Sequence, residues 1–391
     1  MLARQESLLA KQFIASLVRC VPPIPTIPPI PPTRGESQLY DSDTMTALEA
    51  KSHSQWLAFG PILFQAARAM RDLGILTTLD KAPKRSASIE QIAEQCRLTI
   101  YGVSVLLDVG LSAKLVYLRD DLYTLTKAGY FMLHDTMTQV NMDFTQDICY
   151  RGMDHLQTAI TEGRPAGLCE LGEWETIYPA LSLLTAQQQK SWFRFDHFYS
   201  DQAFPELLPL VFASQPKKIY DLGGNTGRWA EQCVRYDEQV EITIIDLPEQ
   251  IALAKKNALD KGLQDRILGH ATDLLDPTRT IPGGADIYWM SQFLDCFSDD
   301  EIVSILSRVA SAMTEQAAIY ILELFWDRQQ YEAAALSLNC TSLYFTVLAN
   351  GNSHFYHSKK MIELIHQAGL KVVEEVDQIG LGHTLLKCQR V

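Results

Sequence analysis

The chain has 391 residues, of which 47% are hydrophobic and 21% charged, with 15 Tyr, 15 Phe and 6 Trp. That composition buries a large core, excludes disorder over most of the length and suits two modest domains. A formal charge of −13 excludes a general polyanion binder, because phosphate contacts need clustered cations. No apolar run reaches the ~18 residues of a membrane span. The eight cysteines stand singly, with no C-x-x-C pair, so neither a zinc cage nor a redox dithiol is indicated and no metal is expected. The expectation is a soluble, reduced, cytoplasmic protein without membrane or nucleic-acid partners.

Residues 1–45 read as an extension. Seven of the 17 prolines fall between Pro22 and Pro32, a run that favours extended polyproline II and stays out of a core. Met45-Thr46-Ala47-Leu48-Glu49 also reads like a natural start.

From 46 to 150 the pattern is helical, ending in a hairpin. Phe59, Ile62, Leu63, Ala66, Ala67 and Met70 recur at helical spacing, and Ser88 with Gln91 forms a capping box. A third helix runs over 99–113. Leu115–Leu118 and Leu122–Leu125 then flank a turn at Asp120-Asp121. Three helices and a wing make a winged-helix order. Residues 99–113 hold no Lys or Arg, so this unit is expected to dimerise rather than enter a DNA groove. Residues 151–215 read as a helical connector and pocket wall, with Phe195, His197 and Tyr199 as candidates to face a substrate.

From 216 to 391 strands and helices alternate. Strands are expected at 218–222, 241–246, 266–268, 286–290, 318–322, 372–377 and 384–388. Alternation argues a doubly wound parallel α/β sheet. The last two strands have too short a link for a crossover, so they are antiparallel.

The first of these strands ends in Asp221-Leu222-Gly223-Gly224-Asn225-Thr226-Gly227. A dinucleotide fingerprint ending at Gly227 needs Gly at 222, where Leu222 stands. What remains is a glycine turn beside an acid, suited to a cationic ligand such as S-adenosylmethionine. Asp246 ends the second strand, where a carboxylate serves ribose hydroxyls. Asp273 follows the third, positioned for an adenine amino group, with Leu274 against the ring.

With these features the chain resembles the O-methyltransferase family typified by plant caffeate and flavonoid enzymes and their bacterial relatives. The resemblance runs from about residue 55 to the end. It implies a Rossmann-like sheet with an antiparallel last strand, a winged-helix-like dimerisation domain, a homodimer, and methyl transfer from S-adenosylmethionine to a small aromatic or polyketide-like acceptor. It implies that Asp221, Gly223, Gly224, Gly227, Asp246, Leu247, Asp273, Leu274 and Ser291 line the cofactor site. The pattern departs from the family at Asp295, where phenol-methylating members usually carry a His general base. A free carboxylate, pKa ~3.9, is a weaker base than imidazole, pKa ~6.5. Asp295 is nevertheless the expected catalytic residue, with Glu323 in support; His354 or His357 could take the proton instead, or none be needed. Phe195, Tyr199, Trp326, His354 and His357 are the expected substrate contacts. The alternative activities are C-methylation, another cofactor-assisted reaction such as hydroxylation or decarboxylation, or a non-catalytic regulator.

Overall fold

The computed structural model describes Tyr40 and residues 42–391; the proline run expected to be extended lies outside them. Helix α1 (Ala47–Asp72) opens on a capping box between Thr46 and Glu49. It is followed by α2 (Ile75–Lys81), β1 (Ser86–Ala87), α3 (Ile89–Cys96), α4 (Ile100–Ser112), β2 (Val116–Arg119) and β3 (Leu122–Leu125). The three strands pair antiparallel in the order β1-β3-β2, so the wing gains a two-residue strand that the sequence reading did not contain. Asp120 and Asp121 take φ of 50° and 57°. That is the mirror-image turn which matches the twist of a two-residue hairpin. A cluster of Met70, Leu76, Leu79, Ile92, Leu107 and Leu125 holds this unit together.

Helix α1 is only partly used by that core. Met70 alone is buried within it, while Leu57, Phe59 and Ile62 are 69%, 54% and 61% exposed. The expected apolar stripe is therefore present, but its N-terminal half has no cover among the described residues.

The connector comprises α5 (Lys127–His134), α6 (Thr136–Phe144), α7 (Leu156–Glu162), α8 (Ala186–Asp201) and α9 (Phe204–Phe212), with short turns between. Phe144 stacks on Phe195 at 4.0 Å. The Trp192 indole N–H donates to the Tyr344 hydroxyl at 2.8 Å. The cluster that includes Phe144, Ile148, Leu168, Tyr344 and Phe355 also takes in Leu324 just past a strand end. It roofs that end of the sheet.

The sheet domain runs β4 (Lys218–Leu222), α10 (Arg228–Tyr236), β5 (Glu241–Asp246), α11 (Pro248–Asp260), β6 (Ile267–Ala271), β7 (Ile287–Ser291), α12 (Asp299–Ala312), β8 (Ala318–Glu323), α13 (Glu332–Tyr344), α14 (Ser358–Gln367), β9 (Leu370–Ile379) and β10 (His383–Arg390). The order is β6-β5-β4-β7-β8-β10-β9. The first five strands are parallel and β10 is antiparallel to both neighbours, as the short link between the last two strands requires. Alternate residues of the strands feed two cores. Tyr220, Tyr288 and Ile321 face α12 and α14, while Ile219, Trp289 and Leu322 face α9, α10 and α11. Cover on both sides explains why β8 is buried at every position. The reversal of strand order between β4 and β7 leaves a crevice at their carboxyl ends, where doubly wound sheets bind ligands. No helix among the described residues is long and apolar enough to cross a membrane.

Candidate active site

The crevice begins with the turn after β4. Gly223 takes a φ of +72°, and a Cβ there would lie 2.2 Å from the Phe293 ring. Gly224 presses against Asp221, whose Oδ2 would lie 2.5 Å from any added Cβ. Only glycine permits both the left-handed backbone and the close approach. Gly227, φ +82°, then starts α10. Asp221 is 2% exposed, and its Oδ2 has no hydrogen-bond partner among the described residues. Burial, reinforced by nearby Asp246, pushes its carboxyl up to about 8. An unpaired buried carboxylate is costly unless a cation arrives.

Asp246 is already anchored. Its Oδ2 accepts from the Asn225 amide at 2.9 Å and its Oδ1 from the Leu247 amide at 2.7 Å. Each oxygen keeps a lone pair for a hydroxyl donor. Asp246 thus ties the end of β5 to the turn of β4. Burial raises its carboxyl, and the two amides pull it back.

The third acid is placed differently from the sequence expectation. Strand β6 extends to Ala271, and Asp273 lies beyond it, exposed. Its carboxylate accepts from the Leu275 amide at 2.9 Å, closing a local turn. Leu274 is 6% exposed and packs in the core with Ile302 and Leu306, so it is not free to cover an adenine ring. A strand-end acid and a turn-forming Asp look alike in sequence; here the extra strand length decides.

Opposite the glycine turn, β7 runs into Ser291 and a short helical turn at Leu294–Cys296. Asp295 sits on that turn, 4% exposed. Glu323, at the end of β8, is 1% exposed, and its Oε1 accepts from the Phe293 and Leu294 amides at 3.0 and 2.8 Å. Its Oε2 has no partner. Burial pushes Asp295 up to about 7, with Asp196 of α8 adding to the rise and the Cys296 thiol opposing it. Burial and then Asp295 raise Glu323 further. The two acids disfavour each other's charge, so they titrate as a pair holding a proton.

The cleft is lined by Asp196, His197, Asp221, Gly223, Gly224, Asn225, Ser291 and Gln292, with Trp229 and Trp289 among its walls. The two indoles stack at 4.4 Å and 20°. The structure therefore brings Asp221, Gly223, Gly224 and Ser291 together, with Asp246 bonded to the adjacent wall. The lining does not include His354, His357 or Trp326, nor Asp295 and Glu323, which lie buried at the turn after β7. His357 caps α14 through Nδ1, which accepts from the Lys359 amide at 3.1 Å, and meets the Trp326 ring edge-on at 5.0 Å. His354 is exposed and lies against the Tyr356 ring at 4.1 Å. These placements correct the expectation that either histidine reaches in from the later loop. Phe195 and Tyr199 are committed to packing, Phe195 on Phe144 and Tyr199 through its hydroxyl, which donates to Asn141 at 2.9 Å.

Sequence reasoning missed Asp196, Asn225 and Gln292. The signal for Asp196 is weak: an acid among the aromatic residues of a helix. For Asn225 it is the glycine context, which accommodates its φ of 48°. Gln292, φ 46°, takes a hydrogen bond across to buried His383 at 3.3 Å. Elsewhere, on the connector surface, His155, Cys169 and Glu170 offer ligand atoms within 4.8 Å of one another.

Comparison with known proteins agrees with this geometry. Residues 205–371 match the O-methyltransferase domain, and residues 51–123 match the Dimerisation2-like domain. Acetylserotonin O-methyltransferase of Homo sapiens is 24% identical over 288 residues, covering 70% of this chain and 80% of that protein. O-methyltransferase SfmM3 of Streptomyces lavendulae is 24% identical over 187 residues, 47% of this chain; the match spans about half, 55%, of that relative. The solved S-adenosylmethionine-dependent methyltransferase SibL superposes with a TM-score of 0.68 at 21% identity, covering 87% of this chain and 99% of that one, a likeness of fold. From the two domain matches in this order, the chain carries an O-methyltransferase domain with a dimerisation domain ahead of it.

Proposed function

We propose that the protein transfers a methyl group from S-adenosylmethionine to a hydroxyl of a small aromatic or polyketide-like acceptor. The observation that carries this reading is the bare, buried Asp221 carboxylate behind a glycine turn, one strand from an anchored Asp246. The residues fit the cofactor. Asp221 would answer its positive charge, Asp246 would accept from ribose hydroxyls, and Gly223, Gly224 and Ser291 leave room beside them. When bound, the cofactor supplies an electrophilic methyl group on a sulfonium.

The chain's own residues do the rest. Asp295 takes the proton of the acceptor hydroxyl as the oxygen–methyl bond forms, so the acceptor loses H⁺ and gains CH₃. Its carboxyl, pushed up to about 7, lies in the range of an imidazole base. Glu323 holds the turn that presents Asp295. The aromatic connector packs over that end of the sheet, and burial there strengthens each electrostatic contact. The relatives named above support an oxygen acceptor, one of them bearing acetylserotonin in its name.

The exposed face of α1 and the Dimerisation2-like match support a homodimer, and α4 without Lys or Arg supports dimerisation over nucleic-acid binding. The acidic composition and free thiols fit a cytoplasmic enzyme. Two experiments test the reading. Labelled cofactor with a panel of phenols should give a labelled methyl ether by mass spectrometry; no product with any acceptor, and no cofactor uptake, overturns it. Ile62→Glu should convert a dimer to monomer by light scattering, and an unchanged dimer would remove α1 from the interface.

A further inference from the structure

Resting on the methyl-transfer reading, we propose that the acceptor carries a positively charged nitrogen and that the Asp196 carboxylate of α8 receives it. Asp196 lines the same cleft as Asp221, Gly223 and Ser291, so a molecule docked beside the reacting centre meets it. Among the described residues its carboxylate accepts no hydrogen bond and pairs with no Lys or Arg. The nearest ionisable nitrogen is His197 Nε2 at 3.8 Å. Burial and Arg228 push that imidazole down to about 4, so it stays neutral at ordinary pH. The one Lys or Arg among the lining residues is Arg228, and it is bonded to Asp201.

A second observation points the same way. Glu323 is 1% exposed, its Oε2 has no partner, and its neighbour Asp295 lies close enough to Asp196 for each carboxyl to raise the next. The proposed base Asp295 thus neighbours Asp196, and among the described residues Arg228, the one Lys or Arg of the lining, is already bonded to Asp201. An ammonium on the acceptor supplies the missing charge. A carboxylate on the acceptor adds a like charge beside Asp196. The specificity is a difference between attraction and repulsion.

The test uses three matched phenols: tyramine, its N-acetyl derivative and 3-(4-hydroxyphenyl)propanoate. Binding to the full chain loaded with S-adenosylhomocysteine is read by calorimetry, and methylation with S-adenosylmethionine is read separately as kcat/KM. The expected order is amine over neutral by about tenfold or more, with no saturable binding of the carboxylate. Asp196→Asn should erase the advantage of the amine over the N-acetyl compound, while Asp196→Glu should retain the preference. Neutral or anionic phenols binding as well as the amine overturn the inference, as does an Asp196→Asn protein with the wild-type order. Loss of cofactor affinity in Asp196→Asn with unaltered acceptor order would assign Asp196 to the cofactor and overturn it too. Failure of wild-type protein to take up S-adenosylhomocysteine would instead strike the methyl-transfer reading itself.

Discussion

The two ends of the crevice are built alike and put to different uses. At the first, Asp246 at the tip of β5 reaches across to the backbone of the β4 turn, and Asp221 on β4 is left without a partner on one oxygen. At the second, Glu323 at the tip of β8 reaches across to the turn after β7, and Asp295 on that turn accepts from the Cys296 thiol at 3.5 Å. In each case one acid fixes a neighbouring turn and a second buried acid lies on or beside it. The difference lies in the turn. Glycines in the first let a ligand lie against the backbone, whereas Phe293, Leu294 and Phe297 in the second surround the acid with apolar groups. The first arrangement suits a permanent cation and the second a proton in transit.

Removing the proton acceptor should have the largest effect. Asp295→Asn is expected to lower kcat by about 10²–10⁴-fold with little change in cofactor affinity. Near-wild-type turnover would show that no residue at this end takes the proton. In the wild type, activity should fall as pH drops through about 7, because the acid must be ionised to act; a profile flat from pH 5 to 9 contradicts the role. At the other end, Asp246→Ala should weaken S-adenosylhomocysteine binding by roughly 10–100-fold, the loss expected for hydrogen bonds to a charged group. Equal affinity in calorimetry would remove the ribose assignment.

Smaller effects probe the turns themselves. Gly223→Ala forces a side chain into the left-handed region and against the Phe293 ring, so it should cost about 1–3 kcal/mol of stability in urea melts. The charge pattern adds a pH signature. Asp221 is pushed up to about 8 when folded, against ~3.9 in an unfolded chain. Its relative contribution is fully present below pH ~4 and is lost as pH rises through about 8. The cofactor-free protein should therefore melt lower at pH 8.5 than at pH 6, by on the order of several degrees. Asp221→Asn should flatten that slope; an unchanged slope places its origin in other groups.

Much of the frame was legible because its signals are local or periodic. The strands of the sheet, the capping box at Ser88 and Gln91 and the antiparallel ending all follow from spacing and link length. The glycine turn was legible because its conformation excludes other residues. What the sequence did not carry was direction in space. Asp273 and Asp246 both follow apolar runs, yet one closes its own turn and the other spans two strands. His354 and His357 have the right chemistry, but a cap on α14 and an exposed loop hold them elsewhere. Asp196 belongs to the site only because the connector folds over the sheet, a long-range fact that no short window contains.

The Trp229 and Trp289 rings, stacked along the cleft wall, have an optical consequence. Two indoles so close couple their electronic transitions and impose a paired signature on near-ultraviolet light. Any molecule settling beside the glycine turn perturbs both chromophores at once, so occupancy of this enzyme is readable from its intrinsic absorption and emission, without a dye or a radioactive tag.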